Sequence, residues 1–356
     1  MKNLFLKNKD TLITLGIVTI AYAIIEILLK AGAVSSLFKG LLVPLCAYII
    51  LAISLNLTVG ILGELSLGHA GFMCIGAFTS AFFSKITVGV INPGWLRFVI
   101  AILIGFIFAG IFGFLIGMPV LRLKGDYLAI VTLAFGEIIK NLMNVLYIGR
   151  DSKGLHFSMK DSLSMGLEED GQVLINGAQG ITGTPKDSTF TAGFILIVIS
   201  LIIILNFIKS REGRAVMAIR DNVIAAESVG INVTRYKLLA FSLSAALAGV
   251  AGVLYSHNLN SLMATTKNFG YNMSIMILVF VVLGGIGSIR GSVIAAVVLT
   301  LLPELLRGLS TYRMLIYAIV LIAMMLFNWA PSARAFRARM IAKLPFAKKK
   351  ALDKEV

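Results

Sequence analysis

Most of the chain is a series of apolar runs in which every face of a helix would be apolar, and short polar segments separate them. The runs lie near residues 11–29, 36–59, 62–84, 98–121, 126–147, 191–208, 238–256, 272–287, 292–307 and 314–330. A helix of about 20 apolar residues crosses a hydrocarbon core of about 30 Å. The pattern therefore predicts an all-α polytopic membrane helix bundle with about ten (8–10) transmembrane helices. The runs 272–287 and 292–307 are short and interrupted by glycine, so they form either two spans or one re-entrant pair.

The composition supports a membrane protein. Of the 356 residues, 58% are hydrophobic and 14% are charged, whereas soluble domains are roughly 45–50% apolar. The formal net charge is +15, but the lysines and arginines lie between apolar runs and at the C-terminus, which argues against a nucleic-acid partner. Cys46 and Cys74 lie inside apolar runs and predict buried free thiols.

The distribution of cations predicts the orientation, because the short cytoplasmic loops of membrane proteins are rich in Lys and Arg. We place the N-terminus, with Lys2, Lys7 and Lys9, in the cytoplasm. The short loops on that side then carry Arg122, Lys124, Lys209, Arg211, Arg214, Arg220, Arg235, Lys237 and Arg290. The longest loop, about 148–190, becomes external, and the mixed charges of this loop fit that position.

Two regions follow from this topology. Residues 1–330 form the transmembrane domain, in which the first apolar run is a retained helix. Residues 331–356 form a basic cytoplasmic tail that carries Arg334, Arg337 and Arg339. The tail either binds anionic membrane lipid or only fixes the topology.

The sequence lacks the motifs of catalysis and cofactor binding. It contains no GxxxxGK[ST] loop, so we expect no ATPase site in this chain. His69, His156 and His257 have no metal-ligand spacing, and no nucleophile has a recognisable base. The segment GGIGSIRG, residues 284–291, joins two membrane runs and is not GxGxxG, so we do not expect a dinucleotide there. The sequence therefore predicts a protein that is not an enzyme and binds neither cofactor nor metal.

A polar insertion, NLTVGILGELSLGHAGF, interrupts the second and third apolar runs. Asn56, Glu64, Ser66 and His69 stand where a simple span would have leucine or valine. Irregular backbone at membrane depth must be buried in protein or line a cavity. The insertion is therefore either a pathway-lining or gating element or a tight cytoplasmic turn.

The fifth apolar run carries a polar stripe. Glu137, Lys140, Asn141 and Asn144 have the spacing i, i+3, i+4 and i+7, which places them on one face of a helix. Ionisable groups inside a bilayer are costly unless they are paired or hydrated. The stripe, with Thr132 of the same run, is either part of a substrate path or the outer end of an interfacial helix.

Glycines spaced four apart predict close packing of transmembrane helices, because small residues let backbones approach. Gly249 follows Ala245 at this spacing, and the glycines to which we assign a packing role are Gly113, Gly117, Gly249, Gly284, Gly285, Gly287 and Gly291. In the external loop, AQGITGTP at 178–185 predicts a turn or a docking site.

The segment AIRDNVIAAESVGINVTRYK, residues 218–237, is polar although its neighbours are apolar. Asp221 is a natural N-cap and Gly230 a natural C′ residue, which predicts a short helix at 222–229. Val223, Ala226 and Val229 form a narrow apolar line on it. Such a helix is unstable alone, so it lies in a groove of a cytoplasmic partner, on the membrane surface or on its own bundle.

Five motifs together resemble one family. GELSLGHAGF, GDYLAIVTLAFGEI, GITGTP, AIRDNVIAAESVGINVTRYKLLAFSLSAALAGVAG and LVFVVLGGIGSIRGSVIAA are similar, in order and spacing, to the LivM-type permease of bacterial branched-chain amino acid ABC importers. The resemblance extends roughly from Leu41 to Leu305. It implies a permease in the bacterial inner membrane that moves leucine, isoleucine and valine. Urea or short-chain amides are the alternative cargo, and an ion-coupled secondary transporter is the alternative mechanism.

The resemblance also implies partners. In that family the cytoplasmic motif AA-x-x-x-G forms a coupling helix that docks on an ATPase, and Ala225, Ala226 and Gly230 match it. The implied coupling helix comprises Asp221, Asn222, Ala225, Ala226, Glu227 and Gly230. Ile224 stands where other permeases often have Glu, so a contact that needs this acid is not expected. The implied assembly adds a homologous LivH-type permease, two cytoplasmic ATPases that bind the ATP, and an extracytoplasmic binding protein.

Overall fold

The computed structural model describes residues 9–32, 35–123, 125–167, 171–306 and 312–329, and a helix forms over each of the ten apolar runs. The long helices are α1 Lys9–Lys30, α2 Ser36–Asn56, α3 His69–Thr87, α4 Gly94–Val120, α5 Asp126–Val145, α6 Phe190–Lys209, α9 Val233–Ser256, α11 Tyr271–Gly284, α12 Ile289–Leu305 and α13 Arg313–Trp329. Shorter helices between them are α7 Arg211–Asp221, α8 Val223–Ser228 and α10 Thr266–Phe269. A π-helical turn, Leu57–Leu62, continues α2. Lys2, Lys7, Lys124 and the tail 331–356 lie outside the described residues.

The expected number of spans, about ten, is not confirmed. Among the described residues, seven helices are long and apolar enough to cross a membrane. They are Phe38–Leu62, His69–Thr87, Gly94–Val120, Asp126–Val145, Phe190–Lys209, Val233–Ser256 and Thr266–Gly284. Helices α12 and α13 have 17 residues each, which gives a length of about 26 Å, less than a hydrocarbon core of about 30 Å.

Helix α9 lies at the centre of the bundle and packs against α2, α3 and α4. Its residues from Ser244 to Ser256 are all buried. Alanine and glycine are interspersed with valine and leucine there, so the backbones of α3 and α4 approach it closely. A Cβ on Gly113 of α4 would lie 2.5 Å from the Cβ of Ala245, and one on Gly117 would lie 2.7 Å from a methyl of Leu238.

The long loop after α5 contains antiparallel sheets, which contradicts the all-α prediction. Its strands are β1 Tyr147–Asp151, β2 Gly154–Ser158, β3 Gln172–Asn176 and β4 Ile181–Thr182, and β5 Ser261–Leu262 follows α9. The first sheet has the order β2-β1-β3, and the second pairs β4 with β5.

A tight turn joins β1 to β2. The Asp151 carboxylate accepts hydrogen bonds from the backbone N–H of Lys153 and of Gly154. Gly154 has φ +141°, which side chains disfavour. Short strands that flank a D-S-K-G turn are a hairpin pattern, and the prediction of a plain external loop overlooked it. The predicted turn at 178–185 contains β4, which pairs with β5.

The sheets mark one end of the bundle, which we call the sheet end. The opposite end, which we call the basic end, is formed by residues 57–68, 210–232 and 285–288. Contacts join these segments: Arg220 donates a hydrogen bond to the Gly60 carbonyl, and the Gly287 N–H donates one to Asn56. Lys85 donates to the carbonyls of Val173 and Leu174 at the sheet end.

We predict that replacing Gly249 by leucine destabilises the bundle. A Cβ on Gly249 would overlap the Cβ of Ala109 and lie 2.6 Å from the Gly105 carbonyl oxygen. Overpacking of this kind costs about 1–3 kcal/mol or more, so the thermal unfolding temperature of the purified protein should fall by several degrees. Gly40→Leu is the matched control, because no atom lies within 4 Å of its Cβ position. Equal unfolding temperatures for the two variants would contradict the prediction.

Candidate functional site

Asn56 links two helix breaks at the basic end. The first break is the segment 57–68 between α2 and α3, and the second is the link 285–288 between α11 and α12. It is the last residue of α2 and is fully buried. Its side-chain oxygen accepts a hydrogen bond of 2.8 Å from the Gly287 N–H, and its amide nitrogen donates one of 2.8 Å to the Ser292 hydroxyl. Gly287 belongs to the link between α11 and α12, and Ser292 belongs to the first turns of α12. The polar insertion after α2 is therefore fixed to the second break.

Backbone also meets backbone where the two breaks touch. A Cβ on Gly60 would lie 2.6 Å from the Gly287 Cα and would overlap the Gly287 nitrogen. Within the second break, Gly284 and Gly291 face each other closely enough that a Cβ on either would overlap the backbone of the other. Gly285 and Gly287 have φ of +96° and +82°, a region that glycine enters without strain. These glycines therefore permit a tight turn and a close backbone contact.

Side chains from other helices bind the irregular segment after the π-helical turn and the first turn of α3. The Thr132 hydroxyl of α5 accepts a hydrogen bond of 3.0 Å from the Leu67 N–H. The Ser274 hydroxyl of α11 accepts one of 3.2 Å from the Ala70 N–H. His69 is buried, and its Nε2 lies 2.8 Å from the Ser54 hydroxyl. The segment is thus held inside the protein.

The other two candidates of the insertion differ in their surroundings. Ser66 is fully buried, and its hydroxyl has no hydrogen-bond partner within the described residues. Glu64 forms an ion pair with Lys237 in the first turns of α9. Both side chains of this pair are largely buried, at 15% and 12% exposed. Glu64 therefore ties the insertion to α9.

The predicted stripe of α5 mostly faces the segment that leads into α11. The Glu137 carboxylate accepts a hydrogen bond of 2.7 Å from the Tyr271 N–H, and its other oxygen lies 2.5 Å from Lys140 Nζ. Lys140 also donates to the Thr266 hydroxyl at 3.1 Å. Asn144 donates to the Ala264 carbonyl at 3.1 Å. The carboxylate thus stands at the positive N-terminus of α11, where an anion is favourable.

Asn141 is the exception, since its side chain is exposed on the outer face of α5. Sequence reasoning missed another buried pair, in which Arg97 of α4 contacts Asp187 at 2.6–3.0 Å. Arg97 is 6% exposed. Its only sequence signal is a cation directly before an apolar run, and no local pattern connects it with Asp187.

Helix α7 is amphipathic and packs against the π-helical turn. Ser210 is its N-cap and accepts a hydrogen bond from the Gly213 N–H. The pKa of Glu212 is lowered, first by a hydrogen bond from its own N–H and then by one from the Ser210 hydroxyl. Val216 of α7 is fully buried in a small apolar cluster. The other buried members of this cluster are Leu57, Ile61, Leu62 and Ala240.

Helix α8 is followed by the predicted glycine, Gly230, but has a different N-cap. Asn222, rather than Asp221, is the N-cap, and its side chain accepts a hydrogen bond of 3.0 Å from the Ala225 N–H. Asp221 is the last residue of α7 and pairs with Arg220. The chain bends sharply between the two helices, so only Asn222 has the extended backbone that a cap needs.

The end of α8 is a glycine turn. Gly230 has φ +82°, and the Ile231 N–H returns to the Ala226 carbonyl at 3.1 Å, as in a Schellman motif. The helix itself spans Val223–Ser228, one residue shorter at each end than predicted.

The surface of α8 is apolar where water would be expected. Ile224 is 80% exposed, Val229 is 74% exposed and Val223 is 40% exposed. Ala226 is buried against the protein. The predicted line of Val223, Ala226 and Val229 is therefore divided: its alanine faces the bundle and its valines face outward. Ala225 and Glu227 are exposed as well.

No three His, Cys, Asp or Glu side chains cluster as metal ligands anywhere in the described part of the chain. Cys46 and Cys74 are free and buried. The chemistry of this site consists of hydrogen bonds and ion pairs that join helix breaks, beside one exposed apolar helix.

Comparison with known proteins identifies relatives of known role. Residues 37–327 match the family described as "Branched-chain amino acid transport system / permease component". The chain is 37% identical over 295 residues to the high-affinity branched-chain amino acid transport system permease protein LivM of Salmonella typhimurium and to that of Escherichia coli. The aligned part is 80% of this chain and 66% of each relative, so the chain spans just under two thirds of their length.

The chain is also 25% identical over 258 residues to the permease protein LivH of the Escherichia coli system, which is 71% of this chain and 79% of that relative. No solved structure matches the chain significantly.

We predict that Glu137→Ala destabilises the protein more than the double variant Glu137→Ala/Lys140→Met. Removing one partner of a buried pair costs about 3–5 kcal/mol. The Glu137 side chain is 24% exposed, so we expect the lower end of that range. The double variant removes the unpaired buried cation and should recover part of the loss. Thermal unfolding of the purified variants measures this, with Asn141→Ala as the exposed control on the same helix. Equal unfolding temperatures for the single and double variants would show that the pair is not coupled.

Proposed function

The chain belongs to the family of permease components of branched-chain amino acid transport systems, and on this premise we propose that it is the transmembrane permease subunit of a bacterial ABC importer. The proposed cargo is leucine, isoleucine and valine, because the similar proteins of Salmonella typhimurium and Escherichia coli are named as permeases of branched-chain amino acid transport. In this proposal residues 1–330 are the permease domain and 331–356 are its basic tail.

The observation that carries the proposal is the exposed apolar surface of α8 at the basic end. A helix of six residues does not persist in water by itself. Here a side-chain cap, a glycine turn and the buried Ala226 hold it in place while Ile224 and Val229 face outward. A preformed helix that presents apolar side chains fits a groove on another protein. We assign it as the coupling helix that docks on an ATPase.

The charge distribution supports a cytoplasmic position for the basic end. The cations within the segments that meet there, or in the helix turns next to them, are Lys209, Arg211, Arg214, Arg220, Arg235, Lys237 and Arg290. An excess of Lys and Arg in short loops marks the cytoplasmic side. Both chain termini would then be cytoplasmic, and the sheet end would face the extracytoplasmic binding protein.

The energy source in this proposal lies on other chains. The sequence has no phosphate loop, so two ATPase subunits bind the ATP and close together on it. One ATPase contacts α8 of this chain, and the other contacts the equivalent helix of a homologous LivH-type permease. Closure moves both helices, and the two permeases change the cavity between them from outward to inward access.

The buried polar residues have positioning roles in this proposal. Asn56, His69 and Thr132 satisfy groups at the helix breaks, and Glu137 with Lys140 fixes the start of α11. An ion-coupled transporter needs an ionisable group that is free to bind the ion in the membrane. Both Glu137 oxygens already have protein partners, which favours the ABC mechanism over the ion-coupled alternative.

We predict that Ile224→Asp weakens binding of the ATPase. Losing the burial of one isoleucine side chain costs about 1.5–3 kcal/mol, which lowers affinity by at least about tenfold. Co-purification of the ATPase with tagged permease measures this. Val90→Asp is the matched control, because Val90 is also 80% exposed but lies beyond α3 at the other end. Replacing 222–229 by a Gly/Ser linker should abolish co-purification while the chain stays in the membrane. Retention of the ATPase by the linker variant would contradict the coupling role.

We also predict that transport depends on an external binding protein and on ATP. The permease, its partner permease, the ATPases and the binding protein are reconstituted in liposomes, and uptake of labelled leucine is measured. Uptake should stop when either the binding protein or ATP is omitted. Competition by valine and isoleucine, but not by urea or acetamide, is expected. Uptake by this chain alone, driven by an ion gradient, would refute the importer.

A further inference from the structure

Arg220 lies between the coupling helix and the first helix break. It stands in the last turn of α7, two residues before the cap of α8. Its Nη1 donates a hydrogen bond of 3.0 Å to the Gly60 carbonyl in the π-helical turn. Its Nε and Nη2 contact the Asp221 carboxylate at 3.1 and 2.9 Å. The guanidinium therefore connects the start of the α7–α8 bend with the break after α2.

The Gly60 carbonyl is available because a helix leaves its last carbonyls without intrahelical partners. Arginine is favourable there, since the C-terminus of a helix carries a partial negative charge. Gly63 makes room for the arginine: a Cβ on Gly63 would lie 2.6 Å from the Arg220 Cγ. A side chain at position 63 would therefore displace the contact.

The same glycine also touches the second break. A Cβ on Gly60 would overlap the Gly287 nitrogen and the Oδ1 of Asn56, the residue one turn earlier that accepts the Gly287 N–H. The Gly60 carbonyl oxygen is part of this contact as well, because a Cβ on Gly287 would lie 3.5 Å from it. The carbonyl that accepts the Arg220 hydrogen bond therefore belongs to backbone that packs directly on Gly287.

The second break is a short link between two helices that are held elsewhere. The link 285–288 joins two short half-helices, α11 and α12, and two of its residues are glycines with positive φ. Both half-helices are anchored at positions other than the link: Glu137 holds the start of α11, and Asn56 also binds Ser292 of α12. Movement at Gly287 therefore changes the angle between the half-helices.

We propose that Arg220 is the positioning residue through which a movement of the coupling helix reaches the α11–α12 link, by the path from Arg220 to Gly60 to Gly287. The proposal rests on the importer function proposed above and assigns the route of its mechanical coupling. Asp221 orients the guanidinium, and the apolar contact of Val216 keeps α7 on the π-helical turn whether or not the arginine is present.

The test uses the complete transporter in liposomes and measures leucine uptake and ATP hydrolysis in the same sample. Arg220→Gln should leave assembly and ATP hydrolysis near wild type but lower the number of leucines moved per ATP by about tenfold. Arg214→Gln is the matched control: Arg214 lies on the same α7 and donates to the Lys209 carbonyl at the end of α6, away from the break. It should keep the wild-type ratio.

A second variant and a distance measurement test whether Arg220 transmits movement or only stabilises the end of the π-helical turn. Gly60→Ala keeps Arg220 but disturbs the contact with the second break, because its Cβ would overlap both the Gly287 nitrogen and the Asn56 oxygen that accepts the Gly287 N–H, and it should lower the same ratio. Spin labels at Ser228 and Ile286, both exposed, report the distance between α8 and the link. Addition of ATP should change the distance between the two labels in the wild-type transporter. The same addition should leave this distance unchanged in Arg220→Gln.

A wild-type ratio in Arg220→Gln, or an equal loss in Arg214→Gln, would overturn the proposal. If Arg220→Gln does not assemble, the ratio of Gly60→Ala decides in the same way. Failure of the importer function itself has a different result, since wild type would then not take up leucine with ATP and the binding protein.

Discussion

Lipid offers no hydrogen-bond partner, so each backbone group that leaves a helix within this bundle must be satisfied by the protein itself. The two helix breaks of the basic end meet this requirement by contacting each other. Asn56 binds the N–H of Gly287 and the hydroxyl of Ser292, and the Gly60 backbone packs directly on Gly287. Because Asn56 satisfies groups of the second break and the Gly60 backbone packs on it, the two breaks hold each other in position.

The same constraint explains the polar residues of the membrane runs. Three side chains accept hydrogen bonds from backbone N–H groups near helix starts. The pairs are Thr132 with Leu67, Ser274 with Ala70, and Glu137 with Tyr271. Each side chain belongs to one helix and binds the irregular start of another. Polar side chains that would be costly in lipid are stable here because they form hydrogen bonds with backbone N–H groups that have no helical partner. They therefore position the irregular ends of the helices, and in the proposed importer the exposed apolar helix of the basic end would contact the ATPase.

Local sequence patterns were sufficient for the features that depend on nearby residues. The apolar runs coincide with helices, and Gly230 ends a short capped helix in the polar segment. The family resemblance and the permease assignment of the relatives are confirmed by comparison. The helical cap differs by one residue, because the bend between α7 and α8 decides which side chain meets the free N–H groups. The strands of the external loop were missed because four strands of two to five residues are too short to show a clear period of two.

The sequence by itself determined a helical membrane protein of this family with one short helix outside the bundle, since hydrophobic periodicity and capping residues act within a few turns. Only the tertiary structure decided which partner each polar residue binds. Asn56 and Gly287 are 231 positions apart, and Arg97 and Asp187 are 90 apart. A polar residue in an apolar run shows that it needs a partner, but the partner is chosen by which helices pack side by side. That choice depends on the whole bundle, so no local pattern contains it.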